Sequence, residues 1–269
     1  MKKNKANIFL ISYFLISLLW WIFLFVTGSK SGTNNYLFAF FYGFIPFLGG
    51  ILGIINAKKW GLFKSALGKG IFLISLGLVT WSIGETIWTY YNFFLSVDIP
   101  YPSWADAGFI LSWPLWAFGV FYLSKATGAK YGLRKNGGKI IALVIPLLAI
   151  IISYYLLIVV ARQGVFDFSG SLLKTFFDLA YPIGDLVILT TAFWTLGLSF
   201  NFLGGIYRNT ILFVLLGFLI NYISDFGFVY GNTVGTYYTG NWSDLLYAIA
   251  MFVIAIGING LSVERVTTS

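Results

Sequence analysis

The chain has 269 residues, of which 59% are hydrophobic, 20% aromatic and only 10% charged. A soluble domain carries roughly 25% charged residues, so the unit to count here is the transmembrane helix of about 20 apolar residues. The absence of Cys and His excludes disulfides, thiolate nucleophiles, His-based acid–base catalysis and His- or Cys-held zinc and haem, and with them the zinc-dependent multi-spanning hydrolases.

The first apolar run, 7–27, follows the basic start Met1-Lys-Lys-Asn-Lys5. It is long for a signal-peptide core and has no small-residue cleavage site after it, so it reads as a retained first span. Seven more follow at 36–56, 71–95, 105–124, 139–161, 175–200, 208–231 and 243–262. The predicted fold is an all-α membrane protein of eight transmembrane helices, forming one polytopic domain over 1–269.

The loops set the orientation. Lys2, Lys3, Lys5, Lys58, Lys59, Lys64, Lys69, Lys125, Lys130, Arg134, Lys135, Lys139, Arg208 and Arg265 share the side of the termini, against Lys30, Arg162 and Lys174 on the other. By the positive-inside rule both termini are cytoplasmic and the chain is a multi-pass protein of the cell membrane. The excess of basic residues therefore reports topology, and no nucleic-acid partner is expected. The loop 57–70, AKKWGLFKSALGKG, is read as part of the same basic face. The partner expected throughout is the lipid bilayer.

The third span carries Glu85 within GLVTWSIGETIWTYYNFFL (77–95), a segment with no Lys or Arg. At 1.5 Å per residue, Glu85 lies about 15 Å below the outer surface. The seventh span carries Asp225 at the matching depth, and the alignment extends further. WSIGETIWTYY (81–91) parallels NYISDFGFVYG (221–231), setting Glu85 on Asp225, Trp88 on Phe228 and Tyr90 on Tyr230. SWADAGF (103–109) parallels NWSDLLY (241–247), setting Asp106 on Asp244, and Gly119 falls on Gly257. A similar offset sets Pro46 on Pro182. These correspondences predict a tandem parallel repeat of four helices, about 1–132 and 133–269.

Three acids sit at capping-box spacing at the outer starts of helices: Ser103–Asp106, Thr175–Asp178 and Asn241–Asp244. Asp106, Asp178 and Asp244 are therefore expected as helix caps or at the outer rim. Capping does not account for Glu85 or Asp225. Asp185 follows Tyr181-Pro-Ile-Gly184, where Pro removes a backbone hydrogen bond; it either faces a cavity or caps a helix restarting after a kink. A deep intramembrane acid faces the bundle interior, pairs, or binds a ligand. Ser82 and Thr89 are within helical reach of Glu85, and Asn221 and Tyr222 of Asp225. Trp81, Trp88, Tyr90, Tyr91, Trp113, Trp116, Tyr222 and Tyr230 offer rings for cation–π contact. The candidate ligand- or cation-binding residues are Glu85, Asp185, Asp225, Trp88, Tyr90, Tyr230 and Asn221. No residue is assigned to catalysis, no cofactor is expected, and a metal among the acids is left open.

PYPSWADAGFILSWPLWAFG (100–119), with FDLAYPIGDLVIL (177–189), resembles the N-terminal membrane modules of some bacterial and archaeal diguanylate cyclases and histidine kinases. The shared features are Pro102, Ser103 and Asp106 opening a helix, then Trp113-Pro114 within it. The resemblance implies a sensory module. Since the chain ends shortly after its last span, it also implies a separate cytoplasmic signalling partner. The expected function is an integral membrane sensory or ligand-binding module. Its outward-facing acidic and aromatic cavity, between the third, fourth, sixth, seventh and eighth spans, would take a small molecule, ion or lipid. The alternative is a proton- or cation-coupled secondary transporter using Glu85 and Asp225.

Overall fold

The computed structural model describes residues 5–97, 99–165, 171–199 and 207–263. Lys2, Lys3, Asp98, Asp167, Glu264 and Arg265 lie outside the described residues. Nine helices are described: α1 (Lys5–Val26), α2 (Thr33–Lys59), α3 (Ala66–Phe94), α4 (Trp104–Ala126), the short α5 (Ala129–Leu133), α6 (Asn136–Ala161), α7 (Leu172–Ser199), α8 (Arg208–Thr233) and α9 (Trp242–Gly260). All but α5 are long and apolar enough to cross a membrane. Four carry an internal proline: Pro46 in α2, Pro114 in α4, Pro146 in α6 and Pro182 in α7. The last turns of α3 and α6 are wound as π-helix, over Tyr90–Phe94 and Tyr154–Ala161.

Lipid gives apolar helices no hydrophobic reason to associate, so contact here depends on close packing and interhelical hydrogen bonds. Glycines supply the packing. In the α3–α4 contact, the most extensive of the fold, Gly77 lies under the indole of Trp116. Gly119 meets Ile74 so closely that an added Cβ would stand 2.5 Å from Ile74 Cγ1 and 3.0 Å from its backbone nitrogen. The α8–α9 contact, second in extent, is built alike. Gly217 packs on Ile254, and a Cβ on Gly257 would stand 2.6 Å from Val214 Cγ2 and 3.0 Å from its backbone nitrogen. On α2, Gly49, Gly50 and Gly53 admit Ala255 of α9 and Ser75 and Val79 of α3. The helices around α9 thus enclose a core with Trp116, Phe218, Ile74, Leu78, Met251 and Ile254 inside it. The apolar side chains of α1 and α6 are largely exposed, as lipid-facing surfaces are.

Side-chain clasps define two ends of the bundle. At one, Asn56 Nδ2 donates to Ile258 and Leu261 carbonyls (2.9 and 2.8 Å), and Trp60 Nε1 to Leu261 (2.6 Å). This draws Trp60 into the clasp, with its ring edge-on to Tyr207. At the other, Asn35 Nδ2 donates to Thr239 (2.8 Å) and Trp21 Nε1 to Asn241 (3.1 Å). The first end collects the loops that carry Lys58, Lys59, Lys64, Lys130, Arg134 and Lys135. The second has Lys30, Arg162 and Lys174, and the acid-rich cavity opens beneath it.

Candidate functional site

One cavity of about 550 Å³ is lined by all six intrahelical acids: Glu85, Asp106, Asp178, Asp185, Asp225 and Asp244. It runs from the 99–101 loop, Val165 and the start of α7 down between α3, α4, α7, α8 and α9, and α2 contributes Tyr42. Trp81, Trp88, Phe109, Trp113 and Phe228 form the aromatic wall.

The acids reach the cavity for local reasons. The stem of Glu85 lies in the space left by Gly43 of α2, where a Cβ would stand 2.7 Å from Glu85 Cγ. The indole of Trp113 fills the space over Gly184, beside Asp185. Helix α7 is continuous through Pro182, so Asp185 is an interior helical residue facing the cavity, and the restarted-helix cap is not formed.

Five of the acids each accept a tyrosine hydroxyl. Tyr42 donates to Glu85, Tyr181 to Asp106 at 2.5 Å, Tyr101 to Asp178 at 3.0 Å, Tyr247 to Asp225 at 2.6 Å and Tyr237 to Asp244 at 3.2 Å. Burial, and then Asp244 and Glu85 beside it, push the phenol of Tyr237 well above the ordinary tyrosine range. Burial and Asp178 do the same to Tyr101. Both therefore remain O–H donors throughout the physiological range. Asp185 contacts the sixth partner, the carboxyl of Asp225. Such a contact is a hydrogen bond only when one of the two carries a proton.

Two of the capping assignments are formed. Asp106 Oδ2 accepts from Ser103 N at 2.6 Å while Ser103 Oγ accepts from Ala105 N, closing a capping box. Asn241 Oδ1 accepts from Ser243 and Asp244 N, and Asp244 Oδ2 accepts from Gly240 N at 2.6 Å. The third is corrected. Helix α7 begins at Leu172, with Ser171 Oγ accepting from Lys174 N. Thr175 is thus inside the helix, and Asp178 pairs instead with Lys174 Nζ at 3.1 Å and Arg162 Nη1 at 3.4 Å.

The other expected residues divide. Trp88 lines the cavity and meets Phe228 edge-on. Asn221 Nδ2 donates to Asp225 at 2.7 Å. Ser82 turns instead to the Gly43 carbonyl, and Tyr222 to Ser153. Tyr90 and Tyr230 stand outside the cavity, largely exposed and stacked on Phe94 and Phe226 of their own helices. At the cavity-side ends of these helices the aromatic faces turn outward, while the inward positions are held by Glu85, Trp88 and Asp225. Trp116 is core, its Nε1 donating to the Ile74 carbonyl. The sequence reading missed Tyr42, Tyr101, Tyr181, Tyr237 and Tyr247 as partners of the acids. Tyr101, Tyr181 and Tyr247 stood within or beside segments it had singled out, PYPSWADAGF, Tyr-Pro-Ile-Gly-Asp185 and NWSDLLY; Tyr42 and Tyr237 did not.

The arrangement holds carboxyl groups, phenols and aromatic faces around one volume. Among the described residues no three acids are grouped closely enough to hold a metal ion. Comparisons of the chain with protein-family models, with curated proteins and with solved structures return no match.

Proposed function

We propose that this protein is a membrane-embedded sensory or ligand-binding module whose acid- and tyrosine-lined cavity takes a small molecule bearing a positive charge. The observation that carries the reading is the convergence of six carboxyl groups from α3, α4, α7, α8 and α9 on one aromatic-walled cavity. Intramembrane acids are costly unless they serve pairing or binding. Aromatic faces beside carboxylates are suited to an ammonium group. The distribution of Lys and Arg supports cytoplasmic termini and a cavity facing outward across the cell membrane. The paired glycine contacts of α3–α4 and α8–α9 support a four-plus-four parallel repeat. A sensor of this kind passes helix movement to a separate cytoplasmic partner at the basic end.

A second reading, a proton- or cation-coupled transporter, is favoured by the Asp185–Asp225 carboxyl contact, since a shared proton is what a coupled carrier loads and unloads. The test is thermal unfolding of the purified protein with alkali cations and small amines, alongside Glu85→Gln and Asp225→Asn. A ligand at a hundredfold excess over its Kd stabilises by about 2.7 kcal/mol. The reading expects an amine-induced rise in Tm that both variants lose. If the variants unfold earlier and no compound shifts the wild type, the acids are structural and the reading fails. Amine or proton flux in liposomes favours the carrier; binding without flux favours the sensor.

A further inference from the structure

Charge is distributed unevenly along the cavity. The cations that line it, Arg162 and Lys174, both stand at the rim, where each contacts Asp178. Glu85, Asp185 and Asp225 lie two turns or more along their helices from that end, Asp244 is buried in the first turn of α9, and among the described residues none of these has an ion-pair partner. The rim cations stand with Asp178 and Asp106, whereas the deeper acids have no cation beside them among the described residues, so a ligand spanning both levels meets a guanidinium at one and carboxyl groups at the other.

Arg162 is also incompletely used. A guanidinium is a planar fork of five donors that grips a carboxylate through two parallel bonds. Among the described residues, Arg162 reaches Asp178 through Nη1 alone, at 3.4 Å, and its buried Nε has no hydrogen-bond partner. A buried donor left unmade is costly, and a ligand oxygen is a fitting acceptor. On the rim side of Glu85 and Asp225, a turn further along α3 and α8, stand the rings of Trp88 and Phe228, suited to a short apolar spacer. The volume of about 550 Å³ is of the size that encloses a small organic ligand.

We infer that the ligand is dipolar: a zwitterion whose ammonium sits among the inner acids and whose carboxylate or equivalent anionic group is held by Arg162. The inference rests on the cavity being a ligand site for a positive charge, and it adds the second charge and its receptor.

The test is thermal unfolding and calorimetric titration of the full chain in detergent. The probes are β-alanine, γ-aminobutyrate, δ-aminovalerate, ε-aminocaproate and phenylalanine, each compared with the amine lacking its carboxylate and the carboxylate lacking its amine. One zwitterion is expected to bind at least tenfold tighter than its amine, with the carboxylate inert. Arg162→Gln is expected to erase that tenfold advantage while leaving amine binding intact. Arg162→Lys, which keeps the charge and loses the fork, is expected to restore only part of it. Unchanged amine binding in Arg162→Gln shows that the variant is folded. If amines bind as tightly as zwitterions and Arg162→Gln changes neither, the dipolar inference is overturned while the cation site stands. If no probe shifts the wild type, both fall together.

Discussion

The hydroxyl of Tyr181 on α7 donates to the carboxylate of Asp106 on α4 across 2.5 Å. The same carboxylate closes the capping box of α4 through its other oxygen. One side chain therefore both starts a helix and fastens it to a neighbour 75 positions away. Removing the hydroxyl leaves a buried carboxylate oxygen without its donor, which costs about 1–3 kcal/mol. Tyr181→Phe should lower the unfolding free energy by that amount. Thermal denaturation in detergent reads it, and a Tm equal to wild type would show that the bond contributes nothing.

Gly43 separates position from stability. A Cβ there collides with Cγ of Glu85 at 2.7 Å, and the obstructing atom belongs to a side chain that can swing aside. Gly43→Ala should therefore displace Glu85 from Tyr42 and impair ligand-induced stabilisation more than it lowers the Tm of the empty protein. Gly137, near the start of α6, has nothing within 4 Å of an added Cβ. Gly137→Ala should be neutral or stabilising by about 0.4–1 kcal/mol through the unfolded chain, which makes it the matched control.

Much of this organisation is legible in the sequence, because the signals are local. Apolar runs mark the eight spans, and Ser103–Asp106 and Asn241–Asp244 mark two helix starts. Thr175–Asp178 has the same spacing and fails, because Ser171 lies one turn earlier and takes the capping place. The tyrosines were not legible for a different reason. Tyr42, Tyr181 and Tyr101 reach acids on other helices or beyond other loops, and no periodicity encodes a contact across dozens of residues. Ser82 shares a helix with Glu85 at the i, i+3 spacing, but its hydroxyl donates across to the Gly43 carbonyl of α2. Depth alone marks Glu85 and Asp225 as interior, since a carboxyl group at that depth has few places to face, while Asp185 is singled out by the Pro182–Gly184 context and its two alternatives are separated only by the unbroken α7.

The clasp at the basic end is predicted to hold the last helix in register. Asn56 is buried and donates to two carbonyls, Ile258 in the final turn of α9 and Leu261 just after it. Asn56→Ala takes its donor from the Ile258 carbonyl, leaves Leu261 with Trp60 alone, and leaves a void. It should destabilise by about 1–3 kcal/mol with no effect on ligand affinity, since the site lies at the opposite end. A loss of binding in Asn56→Ala equal to that in Glu85→Gln would mean that the two ends are coupled through α9.

The repeat makes the sharpest demand on packing. Gly119 against Ile74 and Gly257 against Val214 are the same contact in two places, each bringing a glycine to a backbone nitrogen that cannot rotate away. Alanine at either position must push two helices apart, and overpacking of this kind costs about 1–3 kcal/mol. If the halves derive from one four-helix unit, Gly119→Ala and Gly257→Ala should destabilise by similar amounts. The double variant should be additive, because the two interfaces share no atoms. Chemical denaturation of the single and double variants measures this. A large cost at Gly119 with none at Gly257 would show that the likeness between α3–α4 and α8–α9 is one of spacing alone, with the second pair free to relax along the less tightly packed α7–α8 side.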